Sequence, residues 1–458
     1  MADGVGLDRL EPVAIEELEN QEDHYAEHLA DVNEDQEVVS SEDICNVHGV
    51  VLVRKGARID HDMAQRILRH KLTKPLDQQV QISDGLGGES LGDHAERLLD
   101  KYTDLRRMHE ALGFASAWQE LTEGIAVPPL LWQKLTVLHH QMPEEFEKSL
   151  FCAWLASLIA REMKCNDGQL ASAYFAGLCH DLGLMHIDPA ILRKRGPLEA
   201  HEWRAIQSHV VVGKLIMENT NGIGADVPQA ILEHHERCDG TGYPVGKGQR
   251  QLGTLGQVVG MADSLQAIRV KQFEQVGRRL FDARPYLQLN AHTYSYPVFQ
   301  AMDAILRKSG GEATTVNPYG NYENLVGSLD GRARCLQRIV GDLDGVVDDL
   351  RACANRARGK DLLRALEHVR AMILSSGMLR EELLSWLEDL KEGPNPDALG
   401  ELVEMDLMFN ELRWQLKNLF NAFTLYYDRV GETADGGCTP VKHVMEELVA
   451  DLMSGGFK

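Results

Sequence analysis

The stretch EEFEKSLFCAWLASLIAREM (144–163) constrains this chain more than any other. Pro143 precedes it and suits a first helical turn, because its missing N–H would find no partner there; Glu144 and Glu145 complement the positive end of the helix dipole. Apolar side chains then cover most of the circumference, so a helix here has almost no face to give to water. It must lie at the centre of a helical domain. The flanking segments supply its neighbours. AERLLDKYTDLRRMHEAL (95–112) and LLWQKLTVLHHQM (130–142) repeat apolar residues at spacings of three and four, and QLASAYFAGLCHD (169–181) reads as a second buried helix.

The expected fold class is mainly α, in five parts. Residues 1–40 are strongly acidic and read as a flexible or weakly helical solvated segment. Residues 41–85 read as a small β-hairpin and helix module, from ICNVHGVVLVRKGARID and the following MAQRILRHKL. VQISDGLGGESLGD (80–93) reads as a glycine-rich break. Residues 92–308 are helical, 309–328 a linker, and 329–458 a C-terminal helical domain. In that last part Leu362, Leu366, Val369 and Ile373 form one apolar stripe, Leu383, Leu387 and Leu390 continue it, and Leu402, Met405, Phe409, Leu412, Leu416, Leu419 and Phe423 form another. Such stripes are the core of a bundle, or a surface for a protein partner or a homodimer.

The formal net charge is −23, which disfavours duplex nucleic acid and anionic membrane surfaces as partners. The eight cysteines form no CxxC pair, and they read as small buried hydrophobes in a reducing compartment. The N-terminus lacks the basic-then-apolar order of a signal peptide, and no apolar run approaches the roughly 18 residues of a membrane span. A cytoplasmic protein is expected.

Chemistry concentrates at a few positions. His180 and Asp181 end the buried segment 169–181, and His209 sits within EWRAIQSHVVVGKLI. His234 and His235 end VPQAILEHH, and Asp263 lies in VVGMADSLQAI. Each residue alone has an ordinary structural explanation. Together they place neutral nitrogen donors and carboxylates in apolar helices, where a buried charge demands a partner. Such a set suits a two-metal phosphoesterase, in which paired cations polarise the phosphate and stabilise the leaving oxygen.

HDLG at 180–183, His209, HHERCDGTGYP at 234–244 and ADS at 262–264 resemble the HD-GYP family, phosphodiesterases that cleave cyclic di-GMP. The resemblance covers about 140–290 and implies an all-helical HD-GYP domain in a bacterial signalling protein. It implies that His180, Asp181, His209, His234, His235 and Asp263 are metal ligands, with Glu144 as an added carboxylate and Asp181 also catalytic. It implies two divalent metal ions, iron or manganese, with zinc and nickel also suited to the donors. Arg237, Asp239, Gly240, Gly242, Tyr243 and Pro244 match the family's signature loop, with a role toward substrate. The implied reaction is hydrolysis of cyclic di-GMP to linear pGpG, and onward to GMP, by metal-activated hydroxide.

Three positions depart from the family. Leu184 stands where the family has a phosphate-contacting lysine. Lys148 stands where it has a metal-binding histidine; its ammonium takes the place of a metal, lies near the substrate phosphate, or is solvated. FDARPYLQL (281–289) comes late, with Arg284 in the place of a phosphate-contacting residue. Two readings follow: an active phosphodiesterase, or a degenerate domain that binds nucleotide or a protein partner without turnover.

Overall fold

A computed structural model describes residues 23–124, 126–196, 198–274, 277–310, 317, 319–353 and 357–430. It is mainly helical, with a small β region near the N-terminus. The described residues divide into two compact units, 23–236 with 251–266, and 237–250 with 267–430.

The first unit is built around the helix Pro143–Glu162, in which every residue from Ser149 to Ala160 is buried. The helix Asp167–Cys179 lies against it. A Cβ at Gly177 would sit 2.6 Å from the Cys152 carbonyl oxygen, so only glycine permits this approach. Asn166 starts that helix by accepting from the Gln169 amide at 3.0 Å, while the Gln169 side chain accepts from the Asn166 amide at 3.1 Å. Lys134, on the helix Pro129–Gln141, is fully enclosed. Its ammonium lies 3.0 Å from Asp77, 2.8 Å from His186 Nε2 and over the Tyr25 ring, and so ties the N-terminal region to the helices.

Two two-stranded antiparallel sheets form that N-terminal region. Ile44–Cys45 pairs with Val51–Val53 as a hairpin, and the helix His61–Leu68 follows, capped by Asp60. Val38–Ser40 pairs with Val80–Ile82. The structure differs here from the sequence expectation in two places. Within the acidic segment 1–40, residues 1–22 lie outside the described residues, but Tyr25–Val32 is a helix with Tyr25, Leu29 and Val32 buried. Its carboxylates, Glu27 and Asp31, stand four residues apart on one side, so the acidic composition masks an apolar face. Residues 80–82, read as part of a break, form a strand whose partner lies about 40 residues away, a pairing that no local pattern announces.

The second unit contains the helices Tyr322–Cys353, Ala357–Ser375, Glu381–Glu392 and Leu399–Val430. Leu362, Leu366, Val369, Ile373, Leu387, Leu390, Leu402, Phe409, Leu412, Leu416 and Leu419 are buried in one core, and Leu383 and Met405 pack against it. The Phe423 side chain and residues 431–458 lie outside the described residues. Residues 309–328, expected as a linker, include the start of the helix Tyr322–Cys353, and residues 267–308 group with the C-terminal helices. Asp406, fully buried, receives Arg278 at 2.8 Å and Arg332 at 2.7 Å. Cys45, Cys152, Cys165, Cys179, Cys238 and Cys335 are free thiols, and no helix among the described residues is long and apolar enough to cross a membrane.

Two stability outcomes follow. Asp406→Ala strands two buried guanidinium groups and is expected to cost about 3–5 kcal/mol in urea unfolding. Glu411 is enclosed, and burial pushes its carboxyl up to about 7 against the pull of Gln415, Asn290 and Gln272. The folded state then holds a proton that the unfolded state has released, so stability falls as pH rises from about 4.5 to about 7. Glu411→Gln is expected to remove about 3 kcal/mol of that decline, read by comparing unfolding at pH 5 and pH 8.

Candidate metal centre

The centre lies wholly within the first unit. The HD pair stands at the end of the helix Asp167–Cys179, and the chain then turns through the short 3-10 segment Leu182–His186. A Cβ at Gly183 would sit 2.0 Å from the His209 carbonyl oxygen, so glycine lets this turn press onto the start of the helix His209–Glu218. His234 and His235 follow the helix Val227–Glu233, and Asp263 projects from the helix Thr254–Ile268.

Three of the imidazoles are oriented the same way. Nδ1 of His180 lies 2.8 Å from the Gly177 carbonyl, that of His209 lies 2.6 Å from Ile206, and that of His234 lies 2.6 Å from Ile231. Each ring donates from Nδ1 to the carbonyl three residues earlier, which turns Nε2 inward. His209 Nε2 then lies 3.5 Å from His234 Nε2, 3.3 Å from Asp181 Oδ1, and His234 Nε2 lies 3.9 Å from that same oxygen. With both Nδ1 atoms donating, two lone pairs face each other across 3.5 Å. A cation between them would resolve that contact.

Asp181, His209, His234 and His235 each place a ligand atom within 4.8 Å of the others, and all four are buried. Burial holds His209 below the ordinary imidazole range, pushes His234 down to about 3 with help from His180 and His209, and holds His235 well below its usual value. Neutral imidazoles beside an ionised carboxylate are the form that ligates a divalent ion, so this donor set fits a metal.

The other half of the centre is occupied differently. Lys148, from the helix Pro143–Glu162, puts its ammonium 2.7 Å from Asp263 Oδ1 and 2.9 Å from Asp181 Oδ2. His180 Nε2 is 3.1 Å from Asp181 Oδ2 and 3.5 Å from Asp263 Oδ1. Burial opposes a charge on His180, but the Asp181 and Asp263 carboxylates outweigh it and raise its pKa to about 10. Burial likewise opposes ionisation of both carboxyls, and His180 and Lys148 outweigh it, holding each well below the usual carboxylate range.

These positions match a known family. Residues 132–296 match the HD domain family, a span that contains all six histidine and aspartate residues of the centre. Residues 132–296 are an HD domain. A cyclic di-GMP phosphodiesterase of Thermotoga maritima is 33% identical over 153 residues, which are 32% of this chain and 41% of that protein. A cyclic di-GMP phosphodiesterase of Pseudomonas aeruginosa is 33% identical over 151 residues, 33% of this chain and 36% of that protein. A 3'3'-cGAMP-specific phosphodiesterase of Vibrio cholerae is 29% identical over 136 residues, 30% of this chain and 29% of that protein. The chain therefore spans less than half the length of each of these relatives.

The sequence-predicted residues thus fall into three sets. His180, Asp181, His209, His234, His235, Asp263 and Lys148 come together. Glu144 is exposed and belongs to none of the donor groups among the described residues, whereas its neighbour Glu145 reaches to 3.8 Å from the Lys148 ammonium. The signature loop lies in the second unit. There the Asp239 carboxylate lies 2.5 Å from His368 Nδ1 and accepts from the Thr241 amide and hydroxyl, and Gly242, Tyr243 and Pro244 are buried. Arg237 lies over the Tyr294 ring, Arg364 donates to the Gly240 carbonyl, and Arg284 pairs with Asp303 at 3.3 Å. Leu184 is buried and apolar.

Sequence reasoning missed Cys152, whose thiol groups with His180 and Asp263, and His292 and His368, which group with Asp239. Cys152 stands four residues after Lys148, on the same helical face, which was the available signal.

His234→Ala is expected to lower retained Mn(II) or Zn(II) at least about tenfold after desalting, measured by mass spectrometry of the metal, with the circular dichroism spectrum unchanged. Full retention in this variant would remove His234 from the ligand set.

Proposed function

We propose that this chain is a metal-dependent phosphodiesterase that hydrolyses cyclic di-GMP to linear pGpG, and onward to GMP. The observation that carries the reading is the convergence of Asp181 with His209, His234 and His235 as buried, neutral-nitrogen and carboxylate donors. A divalent ion held there supplies Lewis acidity toward a phosphoryl oxygen and acidity to water. Iron and manganese are the first choices, and three imidazoles with one carboxylate also suit zinc.

The chain's own residues define the rest. Asp181 turns Oδ1 toward His209 and His234 and Oδ2 toward Lys148, so one carboxylate serves both halves of the centre. Lys148 and His180 add positive charge where the phosphate's negative charge grows. In the net reaction water oxygen bonds to phosphorus, the bond from phosphorus to the 3′ oxygen breaks, and that oxygen takes a proton. The family resemblance alone gives the signature-loop residues Arg237, Asp239, Gly242, Tyr243 and Pro244, with Arg284, a role toward substrate. The Vibrio cholerae relative makes 3'3'-cGAMP the second substrate to test.

A second reading has its own support. Lys148 holds the carboxylates of one half, and Leu184 brings no charge to the phosphate. On that reading the domain binds a cyclic dinucleotide and signals without cleaving it.

Purified protein loaded anaerobically with Fe(II), and separately with Mn(II), is expected to convert cyclic di-GMP to pGpG, with Asp181→Ala at background. Saturable binding without product, at confirmed metal content, would select the second reading. Turnover that survives Asp181→Ala would overturn the site assignment.

A further inference from the structure

We propose that Lys148 is a built-in monovalent cation that fills the second cation position of this centre, so that the protein holds one divalent ion rather than two. The inference rests on the reading that Asp181, His209, His234 and His235 hold a divalent ion.

The geometry carries it. The Lys148 ammonium lies between carboxylates from two other segments, 2.7 Å from Asp263 Oδ1 and 2.9 Å from Asp181 Oδ2. Those are charge-assisted hydrogen-bond lengths. A third carboxylate oxygen, from Glu145, lies at 3.8 Å. This is not a solvated surface lysine: its side chain is 17% exposed, and the two aspartates that it meets are enclosed.

The surroundings are those of a metal position. Cys152, His180 and Asp263 place a ligand atom each within 4.8 Å of one another, all buried. Asp181 Oδ2 lies beside them, 3.1 Å from His180 Nε2. Thiol, imidazole and two carboxylates would serve a divalent ion well. The ammonium already meets one oxygen of each carboxylate. A divalent ion there would have to displace it or share two carboxylates with it at close range, and like charges at such distances in a buried site repel strongly.

Asp181 makes the two halves unlike. Oδ1 faces imidazole nitrogens that offer lone pairs, and Oδ2 faces a permanent N–H donor. One half therefore exchanges its cation with solvent, and the other keeps its cation covalently attached to the chain. A chelator empties the first and leaves the second charged.

The test counts metal. Protein is saturated with Mn(II), desalted and measured by mass spectrometry of the metal, alongside its electron paramagnetic resonance spectrum. Wild type is expected to retain one equivalent with the spectrum of an isolated ion. Lys148→His replaces the ammonium with a ligand and is expected to retain two equivalents, with the spectrum of a coupled pair. Two equivalents in wild type would overturn the proposal, and so would one equivalent in a folded Lys148→His. No metal in wild type would overturn the prior reading of the four-donor set, and this proposal with it. The wild-type count and spectrum need no variant, so they decide the matter even if Lys148→His fails to fold.

Discussion

Two carboxylates, Asp181 and Asp263, are enclosed within apolar helices, and the rest of the centre answers their charge. Taking such groups from water costs several kcal/mol each unless cations and hydrogen bonds replace it. His180 and Lys148 meet that requirement on one side, and the imidazoles of His209, His234 and His235 surround the other. The helix Pro143–Glu162 is therefore more than a core element. Its apolar length fixes the neighbouring helices, and its first turns deliver the ammonium.

Backbone carbonyls do the orienting. His180, His209 and His234 each turn Nδ1 to the carbonyl three residues earlier, an acceptor that the end or start of a helix leaves available. Ring direction and tautomer are then set locally, before any ligand arrives. Glycine at 177 and 183 supplies the close approach that brings those helix ends to one point. The imidazole side of the centre is thus built where helix ends meet, while Asp263 and Lys148 come from within helices.

The second unit treats its buried acids by the same rule, with instructive variation. Asp406 is met by two guanidinium groups, and Asp239 by His368 and by Thr241. Glu411 is met mainly by neutral amides, and its carboxyl rises to about 7. Amide donors only partly replace water, so burial prevails at Glu411.

The sequence by itself determined the helical class, the stripes Leu362–Ile373 and Leu402–Leu419, the hairpin at 44–53 and the histidines and aspartates of the centre. These are legible because apolar periodicity and buried-polar composition are local properties. Tertiary structure alone decided that Val80–Ile82 pairs with Val38–Ser40 and that His292 and His368 gather at Asp239. It also decided where the Lys148 ammonium rests. The physical reason is the same throughout: side-chain reach and strand pairing depend on distances between segments far apart in the chain, and no local pattern encodes those distances.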